Sequence, residues 1–310
     1  MKINVTIATD EHYAKYTYIV LLSILKNKSE HEEPVFYILD GGLSSESKER
    51  LRQLGECVNI VEIDRSDFSQ FESITTKHWT LPTLFRLRLA SILPDVEKVI
   101  YLDCDTLVLK SLKDYWEEDI EDFCLGASED FNAEESAKRL KMPDGTVYFN
   151  AGSILLNLKK WREEGVEEKL FEYLRENSGE LKFLDQDVLN AVLYDRTKII
   201  DKKFNCLVPS DYQTHERKEK WEELKKTAHI LHYVGWKPWE VYNKSLLKDV
   251  FWDYWTLSPY HSENTEFYAN LKKREACFNF KPVRVLNYIL TYPFFIFKAK
   301  RLREFGEFFK

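Results

Sequence analysis

The chain has 310 residues and a formal charge of −7, with 44% apolar residues and 20 Phe, 17 Tyr and 8 Trp. That length and apolar content exclude a disordered chain and allow one large domain or two modest ones, while the acidic balance argues against nonspecific nucleic-acid binding. Five cysteines, Cys57, Cys104, Cys124, Cys206 and Cys277, form no CxxC pair, so neither a disulfide framework nor a zinc knuckle is indicated.

"MKINVTIATD" at the start shows no apolar h-region and no small-residue cleavage site, and a reducing, cytoplasmic setting is expected. Lys2 to Ala8 reads as a strand, and a helix follows from Tyr13, with Ile19, Leu22 and Leu25 at spacing three. "PVFYILD" at 34–40 is a buried strand, "SSESKERLRQLG" a charged helix closed by Gly55, and "VNIVEID" a third strand. "EKVIYL" at 97–102 is a fourth. Further strands are expected at Cys124 to Ser128 and Ser153 to Leu158, with helices at 166–177 and 185–194. This alternation predicts an α/β fold, one mostly parallel mixed sheet with helices on both faces, and a catalytic domain over 1–260. Such sheets bind ligands at the carboxyl ends of their strands. Asp10 and Asp103 both fall at that rim.

Four segments carry chemistry. In "YLDCDTLVL", Asp103 and Asp105 offer hard oxygen ligands suited to Mg²⁺ or Mn²⁺, aimed to one side if the segment stays extended. A turn with one Asp as a helix cap is the bland alternative for any lone D-x-D. In "HILHYVGWKPW", read as a loop, His232 offers a ring nitrogen, Gly235 close backbone approach and Lys237 a point charge for phosphate. A core histidine before an aromatic turn is the competing reading. "FLDQDVLN" sets Asp185, Gln186 and Asp187 at a helix start, where Asp commonly caps. In "YFNAGSILLNLKKW", Asn150 precedes Ala151 and Gly152, a small pair that opens a buried strand and makes room for a ligand or for packing.

Taken together with "ATDEHY" and "TLFRLRLA", these segments resemble glycosyltransferase family 8, the retaining sugar-nucleotide transferases, over roughly residues 1 to 260. The resemblance implies a glycosyltransferase A-type fold and Mn²⁺, or Mg²⁺, held by Asp103, Asp105 and His232 against the diphosphate of a UDP-sugar. It implies nucleotide contacts at Ala8, Asp10, His12, Tyr13, Arg86, Cys104, Gly235 and Lys237. Donor-sugar contacts fall at Arg86, Asn150, Ala151, Asp185 and Gln186, and Asp130 of "GASEDF" sits at the sugar or acceptor side. Gln186, Asp185 and Asp130 are the catalytic candidates. The chain departs from the family at His12, where Asn is frequent, and in H-x-x-G-x-K-P-W, one residue shorter than the usual spacing.

The implied reaction is transfer of galactose or glucose from UDP-galactose or UDP-glucose to a glycan, glycolipid or glycoprotein acceptor, in bacterial surface polysaccharide synthesis. A metal-dependent nucleotidyltransferase would also use paired carboxylates, but no Gly-rich basic phosphate loop follows strand one. A non-catalytic sugar-nucleotide-binding protein is the other alternative, against which Asp103, Asp105, His232 and Gln186 all stand. A C-terminal helical extension is expected over 261–310. Within it, 281–310 joins an apolar, aromatic run to Lys298, Lys300, Arg301 and Arg303, too short to span a membrane but composed as an interfacial anchor on the cytoplasmic face.

Overall fold

A computed structural model describes residues 1–74, 80–210, 222–241, 243, 245, 247–263 and 273. The expected interfacial segment, 281–310, lies outside the described residues.

Among the described residues ten strands form two sheets. The main sheet holds β1 (Lys2–Thr9), β2 (Glu33–Asp40), β3 (Val58–Glu62), β4 (Lys98–Leu102), β6 (Leu125–Glu129), β7 (Phe149–Asn157) and β8 (Thr197–Ile199) in the order β3-β2-β1-β4-β7-β6-β8. The pairs β1·β2, β2·β3, β1·β4 and β6·β8 are parallel, and β7 runs antiparallel to both β4 and β6. The expected mixed, mostly parallel sheet is therefore present. A second sheet, β5 (Thr106–Val108), β10 (Ile230–Val234) and β9 (Cys206–Pro209), in the order β5-β10-β9, stands beside it. Its strands of three to five residues are too short for a hydrophobic period to register.

Among the described residues the helices include α1 (Ala14–Asn27), α2 (Ser45–Arg52), α3 (Leu89–Ile92), α4 (Lys113–Trp116), α5 (Ala133–Arg139), α6 (Leu158–Glu163), α7 (Val166–Asn177) and α8 (Leu184–Leu193), with Lys248–Thr256 and Pro259–Glu263 beyond them. Strand alternation divides the core in two. On β4, Ile100 and Leu102 join one cluster with α1, β5, β10 and helix Lys248–Thr256, while Val99 and Tyr101 join another with α6, α7 and α8. Among the described residues no helix is long and apolar enough to cross a membrane.

Two differences from the sequence reading bear on function. β7 starts at Phe149, so Asn150, Ala151 and Gly152 lie inside the strand. His232 sits on β10 rather than in a loop, its alternation masked by an apolar run buried on both faces.

Candidate functional site

A cleft of about 500 Å³ opens where β1, β4 and β6 end and antiparallel β7 begins. The register sets this up: Leu102, the last residue of β4, pairs with Ser153, and the Asp103 N–H donates to the Gly152 carbonyl at 2.8 Å. Of the residues singled out from the sequence, Ala8, Asp10, Tyr13, Arg86, Asp103, Cys104, Asp105, Asp130, Asn150, Gln186, His232, Gly235 and Lys237 line the cleft. His12, Ala151 and Asp185 do not; His12 is exposed with its ring edge-on to Tyr13, and the other two are buried behind the wall.

Asp103, Cys104 and Asp105 form a turn, not an extended segment. The Thr106 N–H and hydroxyl both donate to the Asp103 carbonyl, at 3.2 and 2.8 Å. The chain then enters β5, whose Thr106 lies opposite His232 on β10. Turn and register, rather than strand alternation, thus converge the three side chains: His232 Nε2 lies 3.2 Å from Asp105 Oδ1 and 3.9 Å from Asp103 Oδ2. Ligand atoms from all three lie within 4.8 Å of one another. Gly152 makes this possible, because a Cβ there would collide with His232 Cε1 and come within 2.8 Å of Asp103 Oδ2.

Charge balance around the cluster is uneven. Lys237 Nζ sits 2.5 Å from Asp105 Oδ2, brought back toward the cleft by Gly235 at φ +76°, a conformation that favours glycine. Burial disfavours the charged Asp105, but the neighbouring Lys237 ammonium outweighs it and holds the carboxyl well below the usual range. The other oxygen, Oδ1, is buried with no hydrogen-bond donor. An orphaned carboxylate oxygen facing a ring nitrogen and a second carboxylate is the donor set of a divalent-cation site, of borderline character through the imidazole. The residues therefore fit Mn²⁺ or Mg²⁺.

Arg86, 4% exposed, ties the cluster to the sugar-side motifs. It donates to Asp103 Oδ1 at 2.6 Å and to the Ala151 carbonyl at 2.7 Å, pairs with Asp185 Oδ2 at 2.9 Å, and lies 4.1 Å over the Tyr101 ring. Burial works against its charge, but Asp103 and Asp185 raise its pKa. Burial also pushes the Asp185 carboxyl up to about 7, against the pull of Arg86. Asp185 is thus an anchor for Arg86.

Gln186 is held at both ends of its amide: Oε1 accepts from the Ala151 N–H at 3.0 Å, and Nε2 donates to the Tyr148 hydroxyl at 3.0 Å and Asp130 Oδ2 at 3.4 Å. Asp187 does not line the cleft and accepts from Arg139, Tyr148 and the Lys182 and Phe183 N–H groups, so it fastens the entry of α8 to α5 and to Tyr148 just before β7 rather than serving the site. Just before Gln186 and Asp187, at the start of α8, the backbone bends sharply, with Leu184 at φ +31°, an unfavourable conformation costing on the order of 1–3 kcal/mol.

At the opposite end Asp10 Oδ1 accepts from the Tyr13 N–H at 3.0 Å, and the Tyr13 ring stands edge-on to Trp239, itself stacked on Tyr16 at 3.6 Å. The Cys104 thiol donates to the Ala8 carbonyl and accepts from the Thr17 hydroxyl, both at 3.2 Å, which pins the turn to the end of β1. Burial pushes that thiol up to about 12, so it is no thiolate nucleophile at neutral pH. Asn205 and Tyr148 were not singled out from the sequence. Tyr148 lies inside "YFNAGS", but Asn205 in "FNC" carries no local signal; only its 2% exposure marks it.

Residues 4–242 match the profile of "Glycosyl transferase family 8". The chain belongs to this family. Among its relatives, a putative glycosyltransferase of Haemophilus influenzae is 33% identical over 75% of this chain and 71% of its own. A lipopolysaccharide 1,2-glucosyltransferase of Escherichia coli is 26% identical over 88% of this chain and 83% of its own. The galactosyltransferase LgtC, solved in complex with donor and acceptor sugar analogues, is 26% identical and superposes with a TM-score of 0.71, covering 83% of this chain and 96% of that one. The fold is accordingly of the glycosyltransferase A type, and the family membership makes the chain a glycosyltransferase.

Proposed function

We propose that this family 8 protein is a retaining enzyme that moves a hexose, galactose or glucose, from a UDP-sugar to a bacterial surface glycan of lipopolysaccharide type, using Mn²⁺ or Mg²⁺ at Asp103, Asp105 and His232. One observation carries the metal and donor reading. The buried, donorless Asp105 Oδ1 converges with His232 and Asp103 in the same cleft that Asp130, Asn150 and Gln186 line. The relatives' names, a glucosyltransferase of lipopolysaccharide and a galactosyltransferase, support a hexose and this class of acceptor.

A divalent cation held there would supply positive charge against the departing diphosphate. Lys237 adds a second positive charge from the protein itself, at a point fixed by Asp105. Arg86 holds Asp103 in its orientation. On the sugar side, double displacement requires a free carboxylate. Asp185 is engaged by Arg86 and Asp187 by Arg139, Asp130 is held by the Asn132 N–H and by the Asn150 and Gln186 amides, and Gln186 is a poor nucleophile. The acceptor hydroxyl then attacks from the leaving-group face, its proton passing to the diphosphate, with the Gln186 carbonyl stabilising an oxocarbenium-like centre. Trapping of a covalent glycosyl adduct on Asp185 or Asp187, seen by mass spectrometry, would overturn this route.

A screen of UDP-sugars for metal-dependent release of UDP tests the function. Turnover with UDP-galactose or UDP-glucose, lost in Asp103→Ala, is expected; no release from any UDP-sugar with Mn²⁺ or Mg²⁺ would overturn the reading. From its composition, segment 281–310 is proposed to hold the catalytic domain at a membrane surface. Equal flotation on anionic liposomes with and without that segment would exclude this.

A further inference from the structure

A metal-binding imidazole must turn a lone pair, not a proton, toward the ion. In the neutral ring only one nitrogen carries a proton, and His232 Nε2, 3.2 Å from Asp105 Oδ1, is where a carboxylate would draw it. The opposite nitrogen, Nδ1, lies 3.0 Å from Asn205 Oδ1. The tautomer therefore depends on which end of the Asn205 amide faces the ring.

That end is fixed by a directional chain. Asn205 Nδ2 donates to Asn150 Oδ1 at 2.9 Å. Asn150 Oδ1 also accepts from the Gly152 N–H at 3.0 Å, while Asn150 Nδ2 donates to Asp130 Oδ2 at 2.9 Å. The two anchors cannot change sign: a backbone N–H only donates, and an ionised carboxylate only accepts. Reversing Asn150 would set its amide group against the Gly152 N–H and its oxygen against Asp130. Reversing Asn205 would set two amide oxygens together. Asn205, 2% exposed and set behind the cleft wall, has no water at hand to relieve a reversed contact, and Asn150 and His232 are only 6% and 5% exposed.

We propose that Asn205, oriented through Asn150 by the Gly152 N–H and Asp130, is a positioning residue that locks His232 as its Nδ1–H tautomer and so presents Nε2 to a divalent cation beside Asp103 and Asp105. The role in cation binding rests on the metal reading given under Proposed function. The donorless Asp105 Oδ1 agrees with it: Nε2 lies 3.2 Å away without hydrogen-bonding it, whereas Nδ1 is hydrogen-bonded to Asn205. The chain also joins the sugar-side residues Asp130 and Asn150 to the metal-side histidine.

Histidine-¹⁵N-labelled full-length protein, free of metal and at mildly alkaline pH, reports the tautomer through long-range ¹H–¹⁵N couplings, with the His232 signal assigned by its absence in His232→Gln. The wild type is expected to show Nδ1–H. Asn205→Ala should shift His232 toward Nε2–H, whereas Asn205→Asp, which still accepts from Nδ1–H, should retain the wild-type tautomer. Mn²⁺ titrations followed by electron paramagnetic resonance, with and without UDP, should show affinity about 10–100-fold weaker in Asn205→Ala than in the wild type. Nε2–H in the wild type, or unchanged Mn²⁺ affinity in an Asn205→Ala protein that melts cooperatively, would overturn the proposal. The wild-type spectrum stands whether or not a variant folds. Wild type with Nδ1–H but no Mn²⁺ binding in either titration would uphold the tautomer lock and overturn the metal reading instead.

Discussion

Asp105 and Asp187 are each the second carboxylate of a D-x-D, each withdrawn from solvent and each paired with a cation, yet their oxygens are treated differently. Asp187 accepts from the Arg139 fork at 2.7 and 2.8 Å, from the Tyr148 hydroxyl at 2.6 Å and from two backbone N–H groups at 2.8 and 2.9 Å. Asp105 has Lys237 on one oxygen and no donor on the other. A carboxylate with all its lone pairs used holds the chain together; one that keeps a lone pair in a desolvated cleft is prepared for something that arrives from outside. Spacing alone does not separate the two cases, but the inventory of donors does.

The sharpest break between them is expected in turnover. Asp105→Ala should lower metal-dependent UDP release at least about a thousandfold while leaving the urea midpoint near that of the wild type, because it removes a charge that is only half satisfied. Asp187→Ala should instead cost roughly 3 kcal/mol of unfolding free energy, since the Tyr148 hydroxyl and the Lys182 and Phe183 N–H groups lose their acceptor together with Arg139. Loss of the fold in the first variant and none in the second would dissolve the distinction. Next in size, Gly152→Ala drives a methyl group into the His232 ring. It should weaken Mn²⁺ binding about 10–100-fold by displacing the ligand, as calorimetry would read.

A pH series sharpens the same contrast. Burial raises the Asp187 pKa, but bonds from Arg139, the Phe183 N–H, Tyr148 and the Lys182 N–H outweigh it and hold the carboxyl below its ordinary value. The stabilisation is therefore full above the unfolded pKa of about 3.9 and is lost as pH falls through the lower folded value. Urea midpoints of wild type and Asp187→Asn should differ most at neutral pH and converge on acidification. A gap that stays constant to about pH 3 would contradict the ionised assignment. The smallest effect is expected for Arg139→Lys, which keeps the charge and loses the fork, at about 1 kcal/mol by the same denaturation.

The site is legible in the sequence where its chemistry rides on runs long enough to carry a period. β1, β2, β4 and the helices at 166–177 and 184–193 follow from apolar spacing, and their ends place Asp10, Asp103 and Gln186 at one rim. For His232 the sequence points to the right chemistry and the wrong element, because β10 is buried on both faces and shows no alternation. An extended strand would converge Asp103 and Asp105 by alternation, whereas a turn closed by Thr106 produces the convergence. His12 shows the reverse case, a motif position that stands exposed outside the cleft.

By itself the sequence determined the layers, the rim and the residue types gathered there, since hydrophobic period and the chemistry of carboxylate, imidazole and amide groups are local properties. Only the tertiary structure decided which D-x-D keeps an open oxygen, and which amide end faces His232. Both depend on hydrogen-bond partners brought from distant positions: Arg139 and Tyr148 to Asp187, Lys237 to Asp105, Asn205 to His232. A hydrogen bond has direction and reaches only about 3 Å, so its partner is fixed by packing and not by distance along the chain.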